Sequence, residues 1–139
     1  MADLPPFNAL LSASQPPPGV YPMNNFQGAV NALRLNPQEQ ALYMRHLQNL
    51  YGSGGVDNPD GSRSTLYQMG TDIDGRTYNL PTVYDGQILS PDNALARARQ
   101  AGLSTFPSYQ SPFEAENRYQ QMHGYMERDT NDYFKSRGR

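Results

Sequence analysis

Twelve prolines divide this chain into the intervals within which regular structure can form. Proline fixes φ and lacks a backbone N–H, so it is excluded from helix interiors and central strands but favoured at the first turn of a helix. Six of the twelve fall in residues 1–23, as Pro5, Pro6, Pro16, Pro17, Pro18 and Pro22, interleaved with Leu4, Phe7, Leu10, Leu11, Val20 and Tyr21. Residues 16–18 are expected to be extended and polyproline-like. Such a segment is either a disordered tail or a docking arm. The arm is the reading adopted: Leu4, Phe7, Leu10, Pro16, Pro17, Pro18 and Tyr21 are expected to enter grooves on a neighbour, at the low ordering cost of a Pro-rich segment.

The other prolines punctuate the rest. Asn24 or Asn25 is placed to cap a short helix with Phe26, Val30 and Leu33 on one face. Asn36, Pro37 and Glu39 then form a start signal for a helix over residues 37–51 with a stripe of Tyr43, Leu47, Leu50 and Tyr51, giving a helical segment at 24–51. Residues 52–63, with Gly52, Gly54, Gly55 and the turn formers around Pro59, read as a flexible linker. Strands are expected at 64–69, 76–84 and 87–89, joined by turns at residues 72–75 and 85–86 into a three-stranded antiparallel meander, with Pro81 at a bulge or an unpaired side. Ser90-Pro91 starts a helix that turns Ala94, Leu95 and Ala98 inward and stops at Gly102. Phe106 is expected to plug the core. Ser111-Pro112-Phe113-Glu114 opens a last helix of about 20 residues with Ala115, Tyr119, Met122, Met126 and Tyr133 at helical spacing. The expected class is therefore α+β: a small three-stranded meander packed by two C-terminal helices in a module at 64–139, preceded by two short helices and the arm. A run of signals without a break predicts that residues 64–134 fold on their own.

At 139 residues the chain has material for one core. Its formal net charge of −2 offers little of the concentrated basic surface that nonspecific nucleic-acid binding needs, so nucleic acid is not an expected partner. Charged residues make up only 17%, so the surface is dominated by uncharged polar groups and suits being covered by neighbours. No stretch has the roughly 18–20 apolar residues of a membrane span, and the start lacks the pattern of a signal peptide. Without cysteine there is no disulfide or thiol nucleophile. The two histidines, His46 and His123, lie near no nucleophile motif and are read as structural or solvent-facing; His123 and Glu127 have the i, i+4 spacing of metal ligands but lack further ones. Asp72-Ile73-Asp74-Gly75 begins like a calcium loop, but Val83 stands where its twelfth-position Glu would be. No catalytic residue, cofactor, metal or small-molecule substrate is expected. Tyr125 and Phe134 fall outside the main stripe of the last helix and are assigned to an interface, where Tyr and Phe are enriched.

One pattern is more specific. Tyr78-Asn79-Leu80-Pro81-Thr82-Val83, Asp85-Gly86-Gln87-Ile88-Leu89-Ser90, Ala94, Gly102, Phe106-Pro107-Ser108-Tyr109 with Ser111, Glu114-Ala115 and Tyr119-Gln120-Gln121-Met122-His123 follow one another. Together they resemble a small module of the virion proteins of tailed bacteriophages, over about residues 64–130. In that module a strand of the type N-x-P-T-v leads through an x-G turn to l-S and a helix, then to F-x-s-x-e-e-A and a helix ending near a histidine. The resemblance implies a noncatalytic structural protein of the virion, made and assembled in the bacterial cytoplasm. It would be a multi-copy tail or head-to-tail component in a symmetric assembly, with tail, portal or adaptor subunits as partners. The same module occurs in internal virion proteins. The alternative it implies is an accessory binding module, or an ejected internal protein, acting beside a peptidoglycan hydrolase during genome entry.

Overall fold

The computed structural model describes residues 22–138, so the arm residues Leu4, Phe7, Leu10, Pro16, Pro17, Pro18 and Tyr21 lie outside the described residues. Helix α1 (Asn24–Leu33) follows Met23, which makes no side-chain cap bond. Asn24 and Asn25, the two expected caps, are both inside the helix, and the Asn25 amide reaches the far end of the chain, donating to Asp129 Oδ1 at 3.0 Å and Asp132 Oδ2 at 3.2 Å. Helix α2 (Pro37–Tyr51) has the bounds expected from its start signal. The Glu39 N–H donates to Asn36 Oδ1 at 2.8 Å, and the Asn36 N–H to Glu39 Oε1 at 3.0 Å, which satisfies two amides that a helix start leaves open.

Residues 52–63 are not a free linker. Strands β1 (Val56–Asp57) and β2 (Arg63–Ser64) pair antiparallel, and a Cβ on Gly55 would lie 2.6 Å from Asn49 O, so the backbone approaches α2 as only glycine permits. Arg63 fastens this hairpin to the end of α2. Its Nε donates to Leu50 O at 3.1 Å, and its Nη2 to Asn49 O at 3.1 Å and Gly52 O at 2.6 Å. A cation on the last carbonyls also suits the negative end of the helix dipole.

Strands β3 (Met69–Ile73) and β4 (Arg76–Leu80) form a hairpin whose turn residues, Asp74 and Gly75, have φ of 51° and 82°, both in the left-handed region that such turns demand. Residues 64–69, by contrast, are not one strand: only Ser64 and Met69 belong to strands, and Tyr67 has φ of 42°. The third strand also differs from the expected meander. Pro81 has no N–H for a ladder, β4 stops at Leu80, and the next two amides, Thr82 and Val83, both turn to Leu66 O. The chain leaves the sheet there, and β5 (Val83–Tyr84) and β6 (Gln87–Ile88) make a separate hairpin through Asp85-Gly86. The vacated edge of β4 is taken by β7 (Ser108–Tyr109), giving the order β3-β4-β7.

Helix α3 (Pro91–Ala101) buries Ala94 and Ala98, and a 3₁₀ turn (Leu103–Thr105) connects it to β7. Pro107 is fully buried there, whereas Phe106, the expected plug, is half-exposed. Helix α4 (Pro112–Ser136) is 25 residues long. The Ser111 hydroxyl caps Glu114 N at 3.1 Å, but Glu114 Oε1 reaches the Gln110 N–H rather than that of Ser111. The main core joins Ala29 of α1, Leu42, Tyr43, Met44 and Leu47 of α2, and Met122 and Met126 of α4, with Leu35 and Leu66. This core crosses the boundary expected between the helical segment and the C-terminal module. The described residues are thus a mixed α+β fold with four α-helices and antiparallel strands.

Candidate functional site

A cleft of about 360 Å³ opens between residues 62–68 and α4, and both histidines line it. His46 is at its buried end; His123 is half-exposed, stacked on Tyr119 with ring centroids 5.3 Å apart and 3.7 Å from Glu127 Oε2. Of the two readings given to His46, structural or solvent-facing, its burial fits the first, although the helical stripe was drawn without it. His46 falls three residues after Tyr43 and one before Leu47, inside the apolar stripe, and that position was the available signal of its burial.

Behind the cleft the polar groups form a chain. The Tyr43 hydroxyl donates to Asp129 Oδ2 at 2.6 Å, and Asn25 occupies Oδ1 of the same carboxylate. His46 Nε2 lies 3.4 Å from Asp129 Oδ2, and His46 Nδ1 lies 2.7 Å from Thr65 Oγ1. Burial, and then the hydrogen bond to Asp129, raise the Tyr43 pKa far above the ordinary phenol range, so its hydroxyl remains a donor. The order Asp129, His46, Thr65 has the composition of a hydroxyl–imidazole–carboxylate relay, in which the carboxylate holds the imidazole N–H. Only the hydroxyl half has working geometry. His46 Nε2 makes no hydrogen bond, although it lies 3.4 Å from the Asp129 oxygen that accepts from Tyr43. The arrangement joins α1, α2, α4 and residue 65, and it leaves the imidazole without a hydrogen bond to the carboxylate.

A second buried carboxylate, Glu39, accepts from Arg118 Nε at 2.9 Å, Arg118 Nη2 at 2.8 Å and the Tyr109 hydroxyl at 2.7 Å, besides its own cap bond. Burial alone would raise its pKa, but the hydrogen bonds from Arg118, Tyr109 and the Asn36 amide outweigh burial and hold the carboxyl below 4.5. Arg118 also donates to Leu33 O at 3.0 Å, so this pair binds α4 to both helices that precede the sheet.

Of the residues assigned to an interface, Tyr125 packs half-buried against the core, its ring 3.5 Å from where a Cβ on Gly28 would sit and 4.5 Å from the Arg128 guanidinium. Phe134 is half-buried and edge-on to Tyr133 at 5.2 Å. The structure therefore brings His46 and His123 to one cleft but does not bring Tyr125 and Phe134 to it. Among the described residues no three His, Asp or Glu side chains come together to hold a metal, and no helix is long and apolar enough to cross a membrane. No family model matches the sequence, and no curated protein or solved structure is significantly similar to it.

Proposed function

We propose that this chain is a noncatalytic structural subunit of a tailed-bacteriophage particle, present in several copies in the tail or head-to-tail region and held to its neighbours by its N-terminal arm. The observation that supports this reading is the use the fold makes of the residues that resemble the virion module. Asn79 Nδ2 donates to Ala115 O at 3.0 Å across the sheet–helix junction, and the Asn79 N–H donates to Pro107 O at 3.2 Å. The Thr82 hydroxyl donates to Tyr67 O at 2.7 Å. Pro81 and Pro107 are fully buried, Asp85-Gly86 makes a turn, and Ser90 and Ser111 cap helices. These residues thus set corners, breaks and caps of a scaffold, and the polar side chains of Asn79, Thr82, Ser90 and Ser111 bond to the chain's own backbone. Among the described residues Tyr67 and Phe113 are large side chains left 66% and 76% exposed, the kind of surface that a neighbour covers.

Mass spectrometry of purified particles tests this. The protein is expected at a fixed copy number that survives washing, and its absence from particles would overturn the proposal. In a phage deleted for this gene, protein lacking residues 1–22 should retain its fold while entering particles poorly. Full incorporation would show that the arm is not an anchor. Co-sedimentation of the intact protein with isolated peptidoglycan would favour the accessory-module reading instead.

A further inference from the structure

At the C-terminal end of α2 a second cavity, of about 450 Å³, is bounded by residues 52–54, Tyr84 and α3. Two guanidinium groups share the Tyr84 ring: Arg45 lies 4.3 Å and Arg97 4.4 Å from its centroid. Each gains from the ring's π-electrons, but together they are like charges held close by one side chain. Their compensation is meagre. Arg97 meets Asp85 only at 3.5 Å and in solvent. Arg45 has no carboxylate within ion-pairing distance among the described residues, and its one hydrogen bond is a long one, Nη2 to Val83 O at 3.4 Å. Its Nε is enclosed without a partner, and so is the hydroxyl of Tyr84, a residue more than nine-tenths buried. Burial, with the Arg97 charge as a further cause, draws the Arg45 guanidinium below the ordinary arginine range. Arg45 Nε and the Tyr84 hydroxyl are closed off from the cavity, but they leave the Arg45 guanidinium short of acceptors where folding normally supplies them.

We propose that this cavity binds a phosphate-class oxyanion held between Arg45 and Arg97. Guanidinium forks match the oxygens of phosphate in paired hydrogen bonds, and an anion between the two would turn their mutual repulsion into shared attraction. The cavity is larger than phosphate alone, so it has room for the group carried by a phosphate monoester. Asp85, on the rim, opposes the anion and limits its affinity.

The test uses the full chain and follows thermal unfolding with inorganic phosphate, with phenyl phosphate, and with sodium chloride at matched ionic strength. A saturable rise in Tm with phosphate, absent with chloride, is expected. Arg45→Gln should abolish it. Arg97 is on the exposed face of α3, so Arg97→Gln should fold normally and weaken the apparent affinity about tenfold. Asp85→Asn should tighten binding, and Asn tolerates the left-handed backbone found there. A stronger response to phenyl phosphate identifies a monoester as the ligand, and equal responses identify free phosphate. No rise beyond that with chloride, or an unchanged rise in both Arg97→Gln and Asp85→Asn, overturns the proposal even if Arg45→Gln fails to fold.

Discussion

Glu39 accepts four hydrogen bonds on one buried carboxylate, and that density fixes how the protein answers to acid. A carboxyl whose folded pKa is depressed contributes stability that is present above its ordinary value and lost as pH falls through the folded pKa. Stability should therefore decline from pH 4.5 downward, and Glu39→Gln should flatten that acid limb in urea titrations repeated across pH. A limb of equal steepness in the variant would show that other groups set it. Arg118→Met leaves the carboxylate without its cation and should cost about 3 kcal/mol at pH 7, the low end for a broken buried pair because Arg118 keeps some contact with water. A loss under about 1 kcal/mol would contradict the role given to the pair. The sequence showed Glu39 only as the third residue of a capping box. Its partners Arg118 and Tyr109 stand 79 and 70 residues further along, and no local rule links them. The same holds for the cleft: each histidine could be read against its own helix, but not against the other.

Elements whose cause is local were legible, and those that depend on pairing were not. The bounds of α2 follow from Asn36, Pro37 and Glu39, and the two tight turns follow from Asp-Gly dipeptides. Pro81 was legible as a bulge or an unpaired position within a strand over 76–84, not as the end of β4, and which segment would fill the vacant edge was decided by β7, a strand of two residues with no periodicity to detect. Residues 52–55 looked flexible because composition alone does not distinguish a glycine that moves from one that allows contact. Two substitutions separate these cases. Gly55→Ala drives a methyl towards Asn49 O and should destabilise by about 1–3 kcal/mol. Gly124→Ala, inside α4 with nothing within 4 Å of the new methyl, should stabilise by about 0.5–1 kcal/mol. Urea midpoints measure both, and matching signs would refute the distinction.

Taken whole, the molecule has a core that no contiguous half of the chain owns. Met122 and Met126 of α4 bury themselves against Leu42, Tyr43 and Leu47 of α2, so a fragment of residues 64–139 would expose that face. Such a fragment is expected to unfold without cooperativity and to show poor amide dispersion, whereas residues 22–139 should melt as one unit; a cooperative transition in the shorter piece would contradict this. The Arg63 clamp has a practical corollary. Asp57 and Arg63 face each other across the β1–β2 pair, so the chain enters and leaves the exposed tip at residues 58–61 side by side, with both strands already anchored. A peptide tag spliced between Pro59 and Asp60 would therefore find its ends held at the right separation, and the tagged chain should keep its fold while presenting the tag to an antibody.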